Sequence, residues 1–278
     1  MLIRNGYEIT VYCPSPTAFV TLMDIREEEK GALRSEAFST TPALETKLYR
    51  DLFGNTCRRF VAPPGELTLF SDILVENSGL ADPFVPDAVQ HAVADLPDEC
   101  LAYLMGSRYC ETDRLSALAW QQFGHTPPGW ARVQAICDFA HERIRFDYQN
   151  ARSTRTAFEA YEERTGVCRD FAHLAVALCR CMNIPARYVN GYLADIGVPP
   201  LLPMDFSAWI EVYLGGEWRT FDPRNNKRRI GRVVISHGRD AADVAMITSF
   251  GTHFLNKFDV WADEVPSDQA PEPAPPGG

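Results

Sequence analysis

Residues 164–193 read RTGVCRDFAHLAVALCRCMNIPARYVNGYL, and this stretch sets a cysteine at the start of a helix. Gly166 interrupts what precedes it, Phe171, Leu174, Ala175, Leu178 and Met182 recur at helical spacing, and Asn183 and Pro185 close the pattern. Cys168 falls one turn before Phe171, on the edge of the predicted helix that turns inward. Backbone N–H groups without partners and the positive end of the helix dipole favour a thiolate there, so the position predicts a lowered thiol pKa and a nucleophile. Most cysteines are plain buried thiols, and the first-turn location is what sets this one apart. After Pro185 the alternation of RYVNGYL predicts a strand.

Downstream, FSAWIEVYLGGEWRTFDP (206–223) predicts two strands joined by Gly215 and Gly216. A two-residue loop sets Leu214 opposite Glu217, and counting back sets Trp209 opposite Asp222. Ser207, Trp209 and Asp222 then share one face of the ribbon, with Ser207 and Asp222 diagonal neighbours about 7–8 Å apart at the backbone.

Upstream, WARVQAICDFAHERIRFDY (130–148) predicts a helix with Val133, Ile136, Phe139, Ala140 and Ile144 on one face, and TRTAFEAYEER (154–164) predicts a shorter one capped by Ser153 or Thr154. His141, among polar neighbours on the first of these, reads as a structural or solvated histidine. The loop DIGVPPLLPMD (195–205) is too rich in proline and glycine for regular structure and can border a cleft. From Tyr7 to about Glu76 short alternating runs separated by turn residues predict an all-β unit over residues 1–80 whose expected role is to pack on or orient the next one. Residues 81–129 read as a connector, 130–263 as the core, and 264–278 as a Pro-rich disordered tail.

The 278 residues carry a net charge of -10, which argues against nucleic acid or anionic membranes as partners; the basic run Lys227, Arg228, Arg229 and Arg232 reads as a solvated loop. No apolar segment approaches the roughly 20 residues needed to span a bilayer, and the N-terminus reads as a strand, so the expected location is cytoplasmic. The eight cysteines are expected to stay reduced, and no cluster has metal-ligand spacing, so neither metal nor cofactor is expected. Oligomeric state is not legible.

TGVCRDFAHLAVALCRCMNIPARYVNGY, followed by FSAWIEVY, TFDPRNN and GRDAADV, resembles the transglutaminase-like superfamily of papain-related cysteine enzymes, in its bacterial branch with an N-terminal β domain. The resemblance implies an α+β fold: an N-terminal all-β domain, then a papain-like core with the nucleophile helix on an antiparallel sheet. It also implies a helix-start cysteine as nucleophile, a histidine just before the Ala-Trp of the first hairpin strand as base, and the aspartate of F-D-P to orient it. Cys168 and Asp222 fall on those positions, but the histidine position holds Ser207, whose hydroxyl cannot accept a thiol proton near neutral pH. Two expectations follow. One is a cysteine protease, amidase or acyltransferase forming a thioester on Cys168, with Trp209 beside the oxyanion and His237 or His253 as substitute base; His173, about 140° around the helix from Cys168, points elsewhere. The other is a catalytically weakened homologue that binds a peptide or protein through the same cleft.

Overall fold

The computed structural model describes residues 1–200 and 203–266. In chain order the strands and helices are β1 (Leu2–Cys13), β2 (Thr17–Thr21), β3 (Leu33–Thr41), β4 (Lys47–Arg50), β5 (Thr56–Ala62), β6 (Gly65–Glu76), α1 (Asp98–Leu101), α2 (Thr112–Phe123), α3 (Trp130–Arg143), β7 (Arg145–Phe146), α4 (Ala157–Glu163), β8 (Thr165–Gly166), α5 (Cys168–Cys181), β9 (Ala186–Leu193), β10 (Ser207–Leu214), β11 (Glu217–Phe221), β12 (Arg232–Gly238), β13 (Ile247–Ser249) and β14 (Phe254–Val265). The fold is α+β. The Pro-rich tail lies outside the described residues from 267 onward, and β14 occupies 264–265, which the sequence pattern assigned to that tail.

The central sheet runs β11-β10-β9-β12, all antiparallel. Its β10–β11 hairpin closes on Leu214↔Glu217 through Gly215 and Gly216 at φ 60° and 85°, the turn that the Gly-Gly pair predicts, because both loop residues need positive φ. One face packs on α5: Ala208, Ile210, Val212 and Leu214 join Phe171, Leu174 and Leu178 in one core, completed by α2, α3 and α4. The predicted stripe on α5 is only part of its burial, since every residue from Asp170 to Cys181 is buried, which marks a helix enclosed all round.

The other face of the sheet packs on the N-terminal strands. Tyr192, Phe206, Val233 and Ile235 share a second core with Ile3, Tyr7, Ile9 and Leu69. The strands of the first unit form two sheets, β14-β1-β6-β3 and β13-β2-β5-β4. β13 and β14, which the chain pattern placed in the core unit, therefore complete the N-terminal sheets. β1 alternates cleanly between faces and is long enough to pair β6 on one edge and β14 on the other. The α4 cap is Thr156, in a reciprocal capping box with Glu159, rather than Ser153 or Thr154. No helix among the described residues is long and apolar enough to cross a membrane.

Candidate active site

The first turn of α5 is held from below by charge. Asp170, fully buried, accepts the Val167 N–H at 2.9 Å and pairs with the buried Arg155 guanidinium at 3.2 Å, while Arg169 donates to the Ser153 and Arg152 carbonyls at 2.6 Å each. A carboxylate at this position satisfies an N-terminal amide and suits the helix dipole. Cys168 thereby lines a cavity of about 40 Å³ together with Tyr148, Leu193, Asp205, Ser207, Arg224 and Arg229 among others. That volume holds a few waters, or a group the size of a carboxylate or carboxamide.

The electrostatics of this cavity correct the expectation of a lowered thiol pKa. Burial, reinforced by the Asp205 carboxylate, pushes the Cys168 thiol up to about 11, against the Ala208 amide, the Arg224 guanidinium and the Arg169 amide, which favour the thiolate. The local helix effect acts over a single turn, whereas desolvation is set by everything packed around the sulfur. Asp205 accepts the Phe206 N–H at 2.7 Å and interacts with the Tyr148 hydroxyl; burial holds its carboxyl above the ordinary value. The sequence offered no signal for Asp205 beyond its place in a loop expected to border the cleft.

Ser207 does line the cavity. Strand alternation sets it on the opposite face from Ala208, and it reaches the cavity as the first residue of β10, at the margin of the sheet. No hydrogen bond joins it to Cys168 or to Asp222 among the described residues. Asp222 has other partners: its carboxylate accepts the Asn225 N–H, the Asn225 side-chain amide and an Arg232 N–H, each at 2.8 Å. Burial alone would raise the Asp222 pKa, but the Arg232 charge and these hydrogen bonds outweigh it and hold the carboxyl below the usual range.

Arg232 also donates to both oxygens of Asp82, at 2.9 and 3.0 Å, and its guanidinium lies 4.8 Å from the centre of the Trp209 ring. Of the basic run expected to be solvated, Arg229 is in fact buried and the Arg232 side chain only 8% exposed, both ion-paired, whereas Lys227 and Arg228 are exposed. Trp209, expected beside the oxyanion, is fully enclosed and outside the cavity lining. Its ring lies across Gly191, where a Cβ would sit 2.7 Å from the ring edge and 2.2 Å from the Val233 carbonyl oxygen. The ladder of the hairpin ends at Ile210↔Phe221, one pair short of the Trp209 and Asp222 pairing obtained by counting back.

A family model described as the transglutaminase-like superfamily matches residues 117–223, from within α2 to the residue after Asp222. A solved structure from Cytophaga hutchinsonii, provisionally named a cysteine protease, is 30% identical with a TM-score of 0.84, over 98% of this chain and 93% of that one. The chain belongs to the transglutaminase-like superfamily. An uncharacterized protein of Mycobacterium leprae is 30% identical over 217 residues, 74% of this chain and 76% of that protein. Another, from Mycobacterium bovis, is 31% identical over 249 residues, 78% of this chain and 76% of its own length.

Within this transglutaminase-like fold the histidines lie elsewhere. His173 accepts the Ala241 N–H at 3.1 Å and stands between the rings of Tyr109 and Tyr188, each 5.1 Å away; burial, with Arg169 and Arg180, drives its pKa well down. His237 is 3.3 Å from Glu211, its backbone tied to Asn55, and burial keeps it neutral too. His253 bonds Ser249 at 2.9 Å against Phe19 in the N-terminal unit. His141 touches the site indirectly, its Nδ1 2.9 Å from the Arg224 carbonyl oxygen. All eight cysteines are free thiols, and among the described residues no three His, Cys, Asp or Glu side chains converge as metal ligands.

Proposed function

We propose that this transglutaminase-like protein binds an acyl or peptide-amide group against Cys168 and performs thiol acyl transfer only weakly near neutral pH. In the full reaction the sulfur bonds the carbonyl carbon, the C–N bond breaks, the amine leaves with a proton, and water or a second amine then cleaves the thioester. The observation that carries the proposal is the pairing of Asp222 with Arg232 and Asn225 in place of an imidazole. With no imidazole in the Cys168 cavity lining, the sulfur has no neutral base to take its proton and the leaving amine has no acid to supply one. A thiol near 11 leaves about one sulfur in 10⁴ ionised at pH 7, so binding persists while chemistry lags.

The test is the pH profile of Cys168 alkylation by iodoacetamide, followed by peptide mass mapping. Because the folded thiol pKa is raised, the rate is expected to climb about tenfold per pH unit from 7 to 10 and to level off only near 11. A plateau below pH 7 would reveal a Cys168 ion pair and overturn the proposal in favour of a competent enzyme. Ser207→His alone is expected to leave the profile nearly unchanged, far short of the factor of about 10² to 10⁴ that a positioned base contributes, because both Asp222 oxygens are already occupied.

A second reading, a working cysteine amidase or acyltransferase, draws on the provisional naming of the Cytophaga relative and on the Asp205 carboxylate facing the thiol. In that reading Asp205 takes the proton.

A further inference from the structure

The wall of the Cys168 cavity carries two arginines in different states. Arg229 is 5% exposed and ion-paired, donating to the Asp195 carboxylate at 2.8 Å, the Ala194 carbonyl at 3.1 Å and Asn225 at 3.1 Å, with its buried Nε–H alone left without a partner among the described residues. Arg224 is half-buried, and among the described residues it has no carboxylate within ion-pair distance. Its one side-chain hydrogen bond is a long 3.4 Å contact to Asn225. It is nevertheless held in place: the guanidinium lies 4.4 Å from the centre of the Phe146 ring, and His141 anchors the Arg224 carbonyl. Both Phe146 and Arg224 line the cavity.

A positioned guanidinium with unused donors is a site for a planar anion. Its stacking on Phe146 limits the side-chain freedom that carboxylate binding would otherwise remove. The enclosed volume of the cavity is about that of one carboxylate, so it selects that group rather than the whole ligand. Asp205 on the same lining repels an anion from its own side and leaves Arg224 as the landing point.

We propose that Arg224 is the carboxylate-recognition residue of the Cys168 cleft, so that the acyl ligand bound there is acidic, carrying a free carboxylate close to the carbonyl that meets the sulfur. This rests on the proposed use of the cleft for acyl binding. The chemistry is that of a glutamyl- or aspartyl-type acyl group rather than an apolar one.

Alkylation by iodoacetate and by iodoacetamide, run in parallel at pH 9 and read at Cys168 by mass mapping, tests it. Both reagents form the same S–CH₂ bond with loss of iodide and consume the same thiolate, so the ratio of their rates is independent of the thiol pKa. The iodoacetate-to-iodoacetamide ratio at Cys168 is expected to exceed that of the same cysteine in the urea-unfolded chain by about tenfold. Arg224→Gln is expected to remove the preference and Arg224→Lys to keep part of it. A native ratio equal to the unfolded one, or a preference that survives Arg224→Gln, overturns the proposal. The absolute rates against pH report separately on the thiol, so failure of carboxylate recognition is distinguishable from failure of the weakened-chemistry proposal. Should Cys168 react with neither reagent, the Arg224 Nε–H NMR signal decides: a shift with glutarate but not with glutaramide supports the proposal, and equal responses to the two overturn it.

Discussion

Arg232→Met is expected to destabilise the protein by about 3–5 kcal/mol in urea unfolding at pH 7, because it leaves the buried Asp222 carboxylate and the largely enclosed Asp82 carboxylate without their cation. The Arg232 side chain is 8% exposed, that of Asp222 1% and that of Asp82 12%, so solvent screens none of the three charges well. Asp222→Asn should cost less, about 1–2 kcal/mol, since Arg232 keeps its three bonds to Asp82 and the amide retains much of the geometry. The pH dependence separates charge from packing. In the wild type Asp222 is held below its unfolded value, so its contribution is present above about pH 4 and is lost as pH falls through the folded pKa. In Arg232→Met the buried Asp222 carboxylate loses the cation that offsets its desolvation, so its pKa rises and the deficit shrinks as pH falls from 7 toward 4.5. A loss below about 1 kcal/mol, or one constant over that range, would mean that Arg232 does not compensate these acids.

The Asp222–Arg232 pair also shows where a sequence stops being informative. The helix of Cys168 and the hairpin that ends at Asp222 are written in short-range patterns: a 3.6-residue stripe after Gly166, and a Gly-Gly turn that forces positive φ. Both elements formed where those patterns put them, with the hairpin closing on the expected pair. Arg232 lies only ten residues beyond Asp222, yet its role depends on β12 crossing to the far side of β9 and on Asp82, 150 residues upstream. Nothing in a run of basic residues distinguishes a buried guanidinium from a solvated one. The return of β14 to β1 is equally non-local, pairing Leu2 with Val265. The raised thiol pKa is non-local for the same reason: the helix end is local and visible, whereas the desolvation that overrides it comes from α5 being enclosed on every side. The core positions of Trp209 and of Arg229 likewise follow from packing across strands, through Gly191 in one case and Asp195 in the other.

Asp205→Asn separates the two accounts of the Cys168 chemistry by the sign of its effect. Asp205 acts on the thiol as a like charge and is, after burial, the largest contributor to its raised pKa. A neighbouring charge at close range moves a pKa by about one to three units, so removing it should lower the Cys168 pKa and speed iodoacetamide alkylation at pH 8 by about tenfold or more. If Asp205 instead takes the proton from the sulfur, the same substitution should slow acyl transfer, as judged by hydrolysis of a thiol-reactive ester, by a factor of about 10² to 10⁴. Energetics favour acceleration. Although burial raises the Asp205 carboxyl, moving a proton onto it from a thiol pushed up to about 11 remains uphill. Tyr148→Phe controls for the hydroxyl that Asp205→Asn also disturbs: it should change the alkylation rate much less, because Tyr148 is neutral at pH 8, its own pKa pushed up to about 12 by burial and by Asp205. An alkylation rate that falls in Asp205→Asn while holding in Tyr148→Phe would make Asp205 the missing base and the protein an enzyme of a Cys–Asp type; a rise in Asp205→Asn would leave Cys168 a masked thiol in the wall of a binding cleft.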